Sequence, residues 1–487
     1  MRTNPHILEI NTRAWLKRLE RRHGKAFTLD QIPDSYWTEI KALGFDALWF
    51  MGVWKESPKG KEIARSHPEV LDAIKKVKPD FSVEDIISSP YAITEYVVDE
   101  TLGGPEALKK LRAKLNGMGI ALLLDFVANH TAIDAPTVDS DPDLYITTGK
   151  TEPGVHKDWF FKNKNGQYIA HGRDPYFAPW TDSAQLNYFN PRTRQVMLQN
   201  LLNVADQCDG VRCDMAMLSL NKVHRDTWWE FLGSDMPKEE FWSQALTAVR
   251  EKYPEFTFIA EVYWGLEWDI QEMGFDYTYD KVLYDRLRFS TPEDIKAHLG
   301  AEHLFQMRSI RFISNHDEED SLKAFGKEKS LAASTIIATL PGARMFYLFQ
   351  LLGRPQRLPI QYVKDLFPVD KDVATHYARL LTIASAPEFH GGQWSLKETR
   401  PFAKEDFSYK NILAWQWKQR NTGKMVVINY CNQPSRCRLP MKSGEVPNGV
   451  VKEEFSKEQI TVTPQMRTEG FVLDLKPYES KIFTFSL

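Results

Sequence analysis

Along residues 1 to about 392, short strand-like apolar runs alternate with stretches whose apolar residues recur every three or four positions. The runs are HILEI (6–10), DALWFMGVW (46–54), IALLLDFV (120–127), DGVRCDM (209–215), FTFIAEV (256–262), FDYTYD (275–280), IRFISNH (310–316) and RMFYLF (344–349). Between two of them Pro105 to Met118 carries Leu108, Leu111 and Leu115, and Arg192 to Asp206 carries Val196, Leu201 and Val204, so each helix presents one apolar stripe to a sheet. This rhythm predicts βα units on a parallel sheet, and eight strands predict a closed (β/α)8 barrel.

Two stretches break the rhythm. After the third strand, residues 131–190 are too long for a βα loop and rich in Asp, Gly, Pro and aromatics, which predicts an inserted small domain B. After residue 392 the helical period gives way to NILAWQWKQ, KMVVINY and FVLDLKPYESKIFTFSL, which predicts a C-terminal antiparallel β domain over 393–487. The barrel then comprises residues 1–130 and 191–392.

Composition narrows the function classes. The 487 residues are 43% hydrophobic and include 14 Trp, 18 Tyr and 28 Phe, which suits large cores and excludes a disordered chain. Lys and Arg number 62 against 65 Asp and Glu, a net charge of −3 with no tract of one sign, so neither nucleic acid nor an anionic membrane is an expected partner. The most apolar stretch, Gly119 to Ala128, is interrupted by Asp125 and falls well short of the ~20 residues that cross a bilayer. Four cysteines (Cys208, Cys213, Cys431, Cys437) form no Cys-x-x-Cys pair, and MRTNPHILEI lacks the apolar centre of a secretory signal, so reduced thiols and a cytoplasmic location are expected.

Four strands finish in chemistry-bearing residues: DFVANH (Asp125, Asn129, His130), GVRCD (Arg212, Asp214), AEVYW (Glu261) and SNHD (Asn315, His316, Asp317). In a (β/α)8 barrel such endings gather at one mouth, where active sites of this architecture are built. A lone strand-end carboxylate is ordinarily a helix cap or an ion pair. Asp214, Glu261 and Asp317 with Arg212 would need that explanation repeated at strands 4, 5 and 7. Arg212 and Asp214, two apart on one strand, project from the same face, and Cys213 between them points away.

DFVANH, GVRCDMAM, FIAEVYW and FISNHD, in this order, resemble the four signature segments of the α-amylase family of glycoside hydrolases, family 13. SSPYAITEY, AQLNYFNP and LKPYESKIF are similar to further segments of that family, so the likeness runs over nearly the whole chain. It implies a TIM barrel, a domain B after strand 3 and a C-terminal β-sandwich. It also implies that Asp214 is a nucleophile, Glu261 an acid/base and Asp317 a third acid holding sugar hydroxyls. His130 and His316 would bind hydroxyls, Tyr91 would stack on a sugar ring, and Arg212 would keep Asp214 ionised. Glu261 must hold a proton near neutral pH, and its neighbours Ile259, Val262, Tyr263 and Trp264 suit a raised pKa.

The chain departs from the family where Met217 and Leu218 stand in place of a frequent Lys-His pair. That removes a sugar-binding cation and a backbone associated with calcium. Asn129 matches a calcium-binding asparagine that elsewhere organises hydrogen bonds, so a structural Ca2+ is open but not favoured, and no cofactor is expected to be required. No catalytic metal is expected, because no His-x-x-x-His pair or other compact ligand set occurs. Trp159, Tyr168, Tyr176 and Trp180 of the inserted stretch serve either as sugar platforms or as that domain's own core.

The expected function is a retaining α-glucoside hydrolase acting on malto-oligosaccharides or related intracellular α-glucans. A transglycosylase or phosphorylase sharing the same intermediate is the close alternative, and a non-catalytic sugar-binding or interaction protein is the distant one. Oligomeric state, linkage preference and endo or exo action are not written in the sequence.

Overall fold

The computed structural model describes residues 1–233, 235–441 and 448–486. Eight parallel strands close into a barrel: β1 (His6–Asn11), β2 (Ala47–Met51), β3 (Ala121–Val127), β4 (Gly210–Asp214), β5 (Thr257–Ala260), β6 (Tyr277–Tyr279), β7 (Ser309–Arg311) and β8 (Ala343–Tyr347). Each strand pairs with its neighbours in sequence, and β8 closes onto β1 with Ile7 opposite Met345. All eight expected runs form these strands. Every residue of β1, β2, β4, β5, β7 and β8 is buried, because helices cover the outside while side chains fill the inside.

The two expected helices occupy Gly104–Gly117 and Pro191–Ala205, and the second is capped by Asn190, whose side chain accepts from the Arg192 amide. Their stripes (Leu108, Leu111, Leu115; Leu201, Val204) are buried. Between β2 and the Gly104 helix the chain makes an excursion that the apolar pattern did not single out. Helices Pro58–Ser66 and Pro68–Val77 lead into the segment that delivers Tyr91.

After β3 a short strand, His130–Ala132, pairs antiparallel with Ser183–Gln185, and Thr147–Gly149, Tyr168–Ala170 and Phe160–Lys162 make a three-stranded sheet. Ile146, Phe160 and Ala170 of this region pack on Trp228 of the barrel chain.

C-terminal to the barrel lies a six-stranded antiparallel sheet faced by a two-stranded one, with Ile412, Val427, Leu439, Phe471 and Phe483 between them. Residues 442–447 and 487 of the expected 393–487 domain lie outside the described residues. The run FVLDLKPYESKIFTFSL, read as one β pattern, divides into Phe471–Leu475 and Ser480–Ser486, which belong to different sheets; Tyr478, with φ +53°, turns the chain between them. Trp417 ties this part to the barrel by donating from Nε1 to the Thr339 carbonyl at 2.7 Å. Among the described residues no helix is long and apolar enough to cross a membrane.

Gly342 leads into β8 with φ +86°, a conformation that L side chains rarely adopt. A Cβ there would fall onto the Ser309 carbonyl oxygen and 2.7 Å from that of Gln306. Gly342→Ala should therefore destabilise the barrel by roughly 2–4 kcal/mol, the sum of left-handed strain and a backbone clash. Calorimetry would show a lowered Tm; an unchanged Tm would mean that the β7–β8 junction yields without cost.

Candidate active site

Gly210 opens β4 where a Cβ would sit 2.6 Å from the Thr257 carbonyl and 2.8 Å from a Leu123 methyl, so its bare backbone lets β3 and β5 close on both sides. Two residues on, Arg212 points into the barrel and is 1% exposed. Its Nη1 donates to Asp214 Oδ1 and its Nη2 to Glu261 Oε2, both at 2.7 Å. Asp125 of β3, in register with Arg212, lies 3.6 Å from Nη1, and Asp317 lies 3.9 Å from Nη2. The rings of Trp49, Tyr91 and Tyr279 surround the guanidinium at 5.1–5.7 Å from their centroids.

The turn after β4 serves the same cluster. Met215 takes a left-handed backbone (φ 41°, ψ 49°), uncommon for a side chain of that size, and its amide donates to Glu261 Oε2 at 2.8 Å. The Ala216 amide bonds the Glu261 carbonyl at 2.9 Å, and Trp242 Nε1 holds the Ala216 carbonyl at 2.8 Å. Met217 and Leu218, which stand where the Lys-His pair is frequent, are buried in this turn. Cys213 points away from the mouth, and burial pushes its thiol far above the usual range.

After β7 the chain leaves the sheet at Arg311, earlier than the run IRFISNH implied. Asn315 Oδ1 accepts from the amides of Asp317 (2.9 Å) and Glu318 (2.7 Å) and sets the loop that presents His316 and Asp317. His316 bridges two carboxylates, Glu9 of β1 at 2.6 Å from Nδ1 and Asp317 at 2.9 Å from Nε2. Tyr91 lies nearly parallel to the imidazole at 5.2 Å, with its hydroxyl 2.6 Å from Nε2. Asp317 is ringed by protein, yet 44% of its side chain is open to solvent at the mouth.

Electrostatics divides these groups. Five carboxyls (Glu9, Asp125, Asp214, Glu261, Asp317) face two cations, Arg212 and a His316 held charged up to about 10, so the cluster retains protons near neutrality. Burial pushes Glu261 and Asp125 up to about 7, with Asp214 and Asp317 adding to the rise at Glu261. Asp317 moves the other way, to about 2, because the His316 and Arg212 charges outweigh its burial. Asp214 is raised by burial, against which the bonded Arg212 acts. For the Glu9–His316 pair, burial pushes the carboxyl up and would push the imidazole down. His316 nevertheless keeps its charge, because Asp317 acts on it as a second anion.

The structure thus brings Asp214, Glu261, Asp317, Arg212, His316 and Tyr91 into one cluster at the mouth formed by the C-terminal strand ends. His130 lies at its edge, packed on Trp180 at 5.1 Å and hydrogen-bonded to the Tyr91 backbone; burial lowers it to about 4, so it is neutral. Asn129 is engaged by Gln185: Gln185 Nε2 donates to its Oδ1 (2.9 Å) and its carbonyl (3.0 Å), and its Nδ2 donates to Gln185 Oε1 (3.2 Å). Of the four aromatics of the inserted stretch, Trp159 is sandwiched between Arg173 and His156, Tyr168 packs half-buried against the insert's own apolar cluster under Lys162, and Trp180 packs on His130, whereas Tyr176 is exposed beside Trp264. Sequence reasoning missed Glu9 and the placement of Tyr263, whose hydroxyl donates to Glu261 Oε1 at 2.7 Å. The signal for Glu9 was a lone acid inside the apolar run HILEI.

The model of the α-amylase catalytic domain matches residues 36–359 of the chain. Among curated proteins, Alpha-amylase 3 of Dictyoglomus thermophilum is 23% identical over 59% of this chain and 58% of its own length. The α-amylase MalA of Haloarcula japonica is 24% identical over 72% of this chain and 49% of its own, so the matched stretches span 58% and 49% of these relatives. The crystal structure of a noncanonic maltogenic α-amylase from Thermotoga neapolitana superposes over 100% of this chain and 99% of that one, with a TM-score of 0.69 at 18% identity, a likeness of fold.

His316 is held protonated to about pH 10 in the folded chain, whereas a free imidazole loses its proton near ~6.5. Its stabilising charge is therefore complete below about pH 6.5 and lost as pH rises toward 10. Glu9→Gln removes one of its two anions, so the fall in Tm between pH 6 and pH 9 should be smaller than in the wild type. Identical pH dependence of Tm in the two proteins would show that Glu9 does not hold the imidazolium.

Proposed function

We propose, since this chain belongs to the α-amylase family, that it is a retaining α-glucoside hydrolase acting on malto-oligosaccharides or related α-glucans. The observation that carries this reading is the pair of carboxyls on adjoining arms of the Arg212 guanidinium, Asp214 and Glu261, each at 2.7 Å. Retaining glycosidases place nucleophile and acid/base ~5–5.5 Å apart, and inverting ones leave a water's width between them. Two carboxyls sharing one fork suit the close arrangement.

In the first step an Asp214 oxygen attacks the anomeric carbon as the C–O bond to the leaving sugar breaks. That bond's electrons stay with the leaving oxygen, which takes the proton of Glu261. The product is a glycosyl ester on Asp214, a free alcohol and an ionised Glu261. In the second step Glu261 removes a proton from water, whose oxygen displaces Asp214 and restores both groups. Arg212 spreads the charge that moves between the carboxyls, and the low pKa of Asp317 keeps it anionic to hold sugar hydroxyls beside a developing oxocarbenium ion. His316 offers a charged N–H in the same place, and Tyr91 an aromatic face.

The residues present do not fit the calcium ion that the family suggests at Asn129. Its Oδ1 and carbonyl already accept amide N–H groups of Gln185, and among the described residues no group of three or more His, Cys, Asp or Glu is placed to hold a metal ion. No step needs the ion. The four cysteines are free, which supports a reducing, cytoplasmic setting.

Asp214→Asn should lower kcat on the order of 10³-fold or more, because an amide forms no glycosyl ester. The fold should persist with a wild-type circular dichroism spectrum, because Asn keeps an oxygen that can accept from Arg212, and Glu261, Asp125 and Asp317 still surround that cation. NMR of the first turnovers should show the α-anomer from an α-glucoside; first appearance of the β-anomer would refute the mechanism. Activity and Tm should survive exhaustive EDTA treatment, and a loss restored by Ca2+ alone would contradict the reading of Asn129 and Gln185.

A further inference from the structure

Glu261 has its two oxygens in different company. Oε2 is held by two donors that cannot move aside: the Arg212 guanidinium at 2.7 Å, itself locked to Asp214, and the Met215 amide at 2.8 Å, fixed by the left-handed turn. The described partner of Oε1 is the Tyr263 hydroxyl at 2.7 Å. A hydroxyl can donate or accept by turning about its C–O bond, whereas an amide and a guanidinium can only donate. Oε1 is thus the oxygen that can carry the transferable proton, and Tyr263 is bonded to that atom.

From this geometry we propose that Tyr263 is a positioning residue for the proton donor: its hydroxyl accepts from protonated Oε1 before transfer and donates to the carboxylate after it, so that Glu261 keeps one orientation in both charge states. The inference rests on the reading of Glu261 as acid/base. The proton leaves Oε1 for the leaving-group oxygen as the C–O bond breaks; the hydroxyl then turns its own O–H toward Oε1, and no proton leaves Tyr263. Burial pushes that phenol well above its usual range, so it remains a neutral hydroxyl throughout.

The backbone supports a placed side chain here. Trp264, immediately after Tyr263, has φ +68°, and Gly265 follows at φ +76°, so the chain reverses directly beyond the tyrosine. A tryptophan in the left-handed region is strained, and such strain persists where surroundings enforce it. Tyr176 of the inserted stretch meets the Trp264 ring edge-on at 5.1 Å. The charged and titratable groups that bear on Glu261 are Arg212 and Asp214 of β4, Asp317 beyond β7, Tyr279 of β6 and Tyr263 itself. Of the side chains described as hydrogen-bonded to the Glu261 carboxyl, Arg212 can only donate, whereas Tyr263 can reverse its hydrogen bond without changing charge.

The test compares Tyr263→Phe with wild type and with Glu261→Gln, using the best-cleaved malto-oligosaccharide and 4-nitrophenyl α-glucoside. Losing a hydrogen bond donated to the anion should move the basic limb of kcat/KM up by about half to one pH unit. On the oligosaccharide kcat should fall about tenfold, with a smaller loss on the aryl glucoside, whose leaving group needs little protonation. Tm should stay within about a degree or two, since Phe keeps the ring. If Glu261→Gln abolishes oligosaccharide cleavage while the Tyr263→Phe profile superposes on wild type, or Tyr263→Phe loses equally on both substrates, the role of Tyr263 is refuted alone. If Glu261→Gln cleaves the oligosaccharide as wild type does, or wild type cleaves no α-glucoside, the acid/base reading falls and this inference with it.

Discussion

One buried cation, the Arg212 guanidinium, sets the terms for everything at the barrel mouth. A guanidinium taken out of water must be surrounded by anions and acceptors, and stripping one partner from such a buried pair costs roughly 3–5 kcal/mol. The chain meets this requirement with carboxyls from several strands: Asp214 and Glu261 at 2.7 Å, Asp125 at 3.6 Å and Asp317 at 3.9 Å. Asp125, Asp214 or Glu261 alone in so dry a place would favour its neutral form. Around one cation the carboxyls separate, Asp317 drawn down to about 2 while Glu261 and Asp125 are held at about 7, so that one acid stays ionised where another can keep its proton.

The barrel is the means of assembling that set. Parallel strands carry their C-terminal ends to one side, and the period of two along β4 puts Arg212 and Asp214 on the inner face. Local devices refine the aim: Gly210 lets neighbouring strands approach, the Met215 turn points an amide at Glu261, and Asn315 fixes the loop bearing His316 and Asp317. Glu9, buried in β1, reaches across to His316 and, with Asp317, lets an imidazolium exist inside the protein. The excursion after β2 contributes Tyr91 to this set, the inserted stretch meets its edge where Trp180 packs on His130, and the Asn129–Gln185 amide pair fastens the insert to the end of β3.

Much of this is written in the sequence because it is local. Strand runs and helix stripes announce the barrel, and polar residues at the ends of four strands announce the mouth, since the architecture alone makes them neighbours. What escapes is set by tertiary contact. A lone Glu9 in an apolar run looks like any buried polar exception until β1 is seen beside the loop after β7. The run IRFISNH continues to residue 316 as a pattern, yet pairing stops at Arg311 because the His316 amide and ring turn to Glu9. Tyr263 was legible as a neighbour of Glu261 but not as its partner, which depends on the chain reversal at Trp264 and Gly265. Trp159, equally plausible as a sugar platform or a core residue, is spent between Arg173 and His156.

The central claim is that Asp214, bound to Arg212 beside Glu261, forms a covalent bond to the sugar. Trapping the intermediate tests it most directly. The enzyme would be quenched with acid during turnover of 5-fluoro-α-glucosyl fluoride, whose fluorine slows breakdown of a glycosyl ester, digested, and read by tandem mass spectrometry. The account predicts one added 5-fluoroglucosyl unit on the peptide containing Asp214, localised to that carboxylate. A stable adduct on another residue, or steady turnover with no adduct on any peptide, would contradict it.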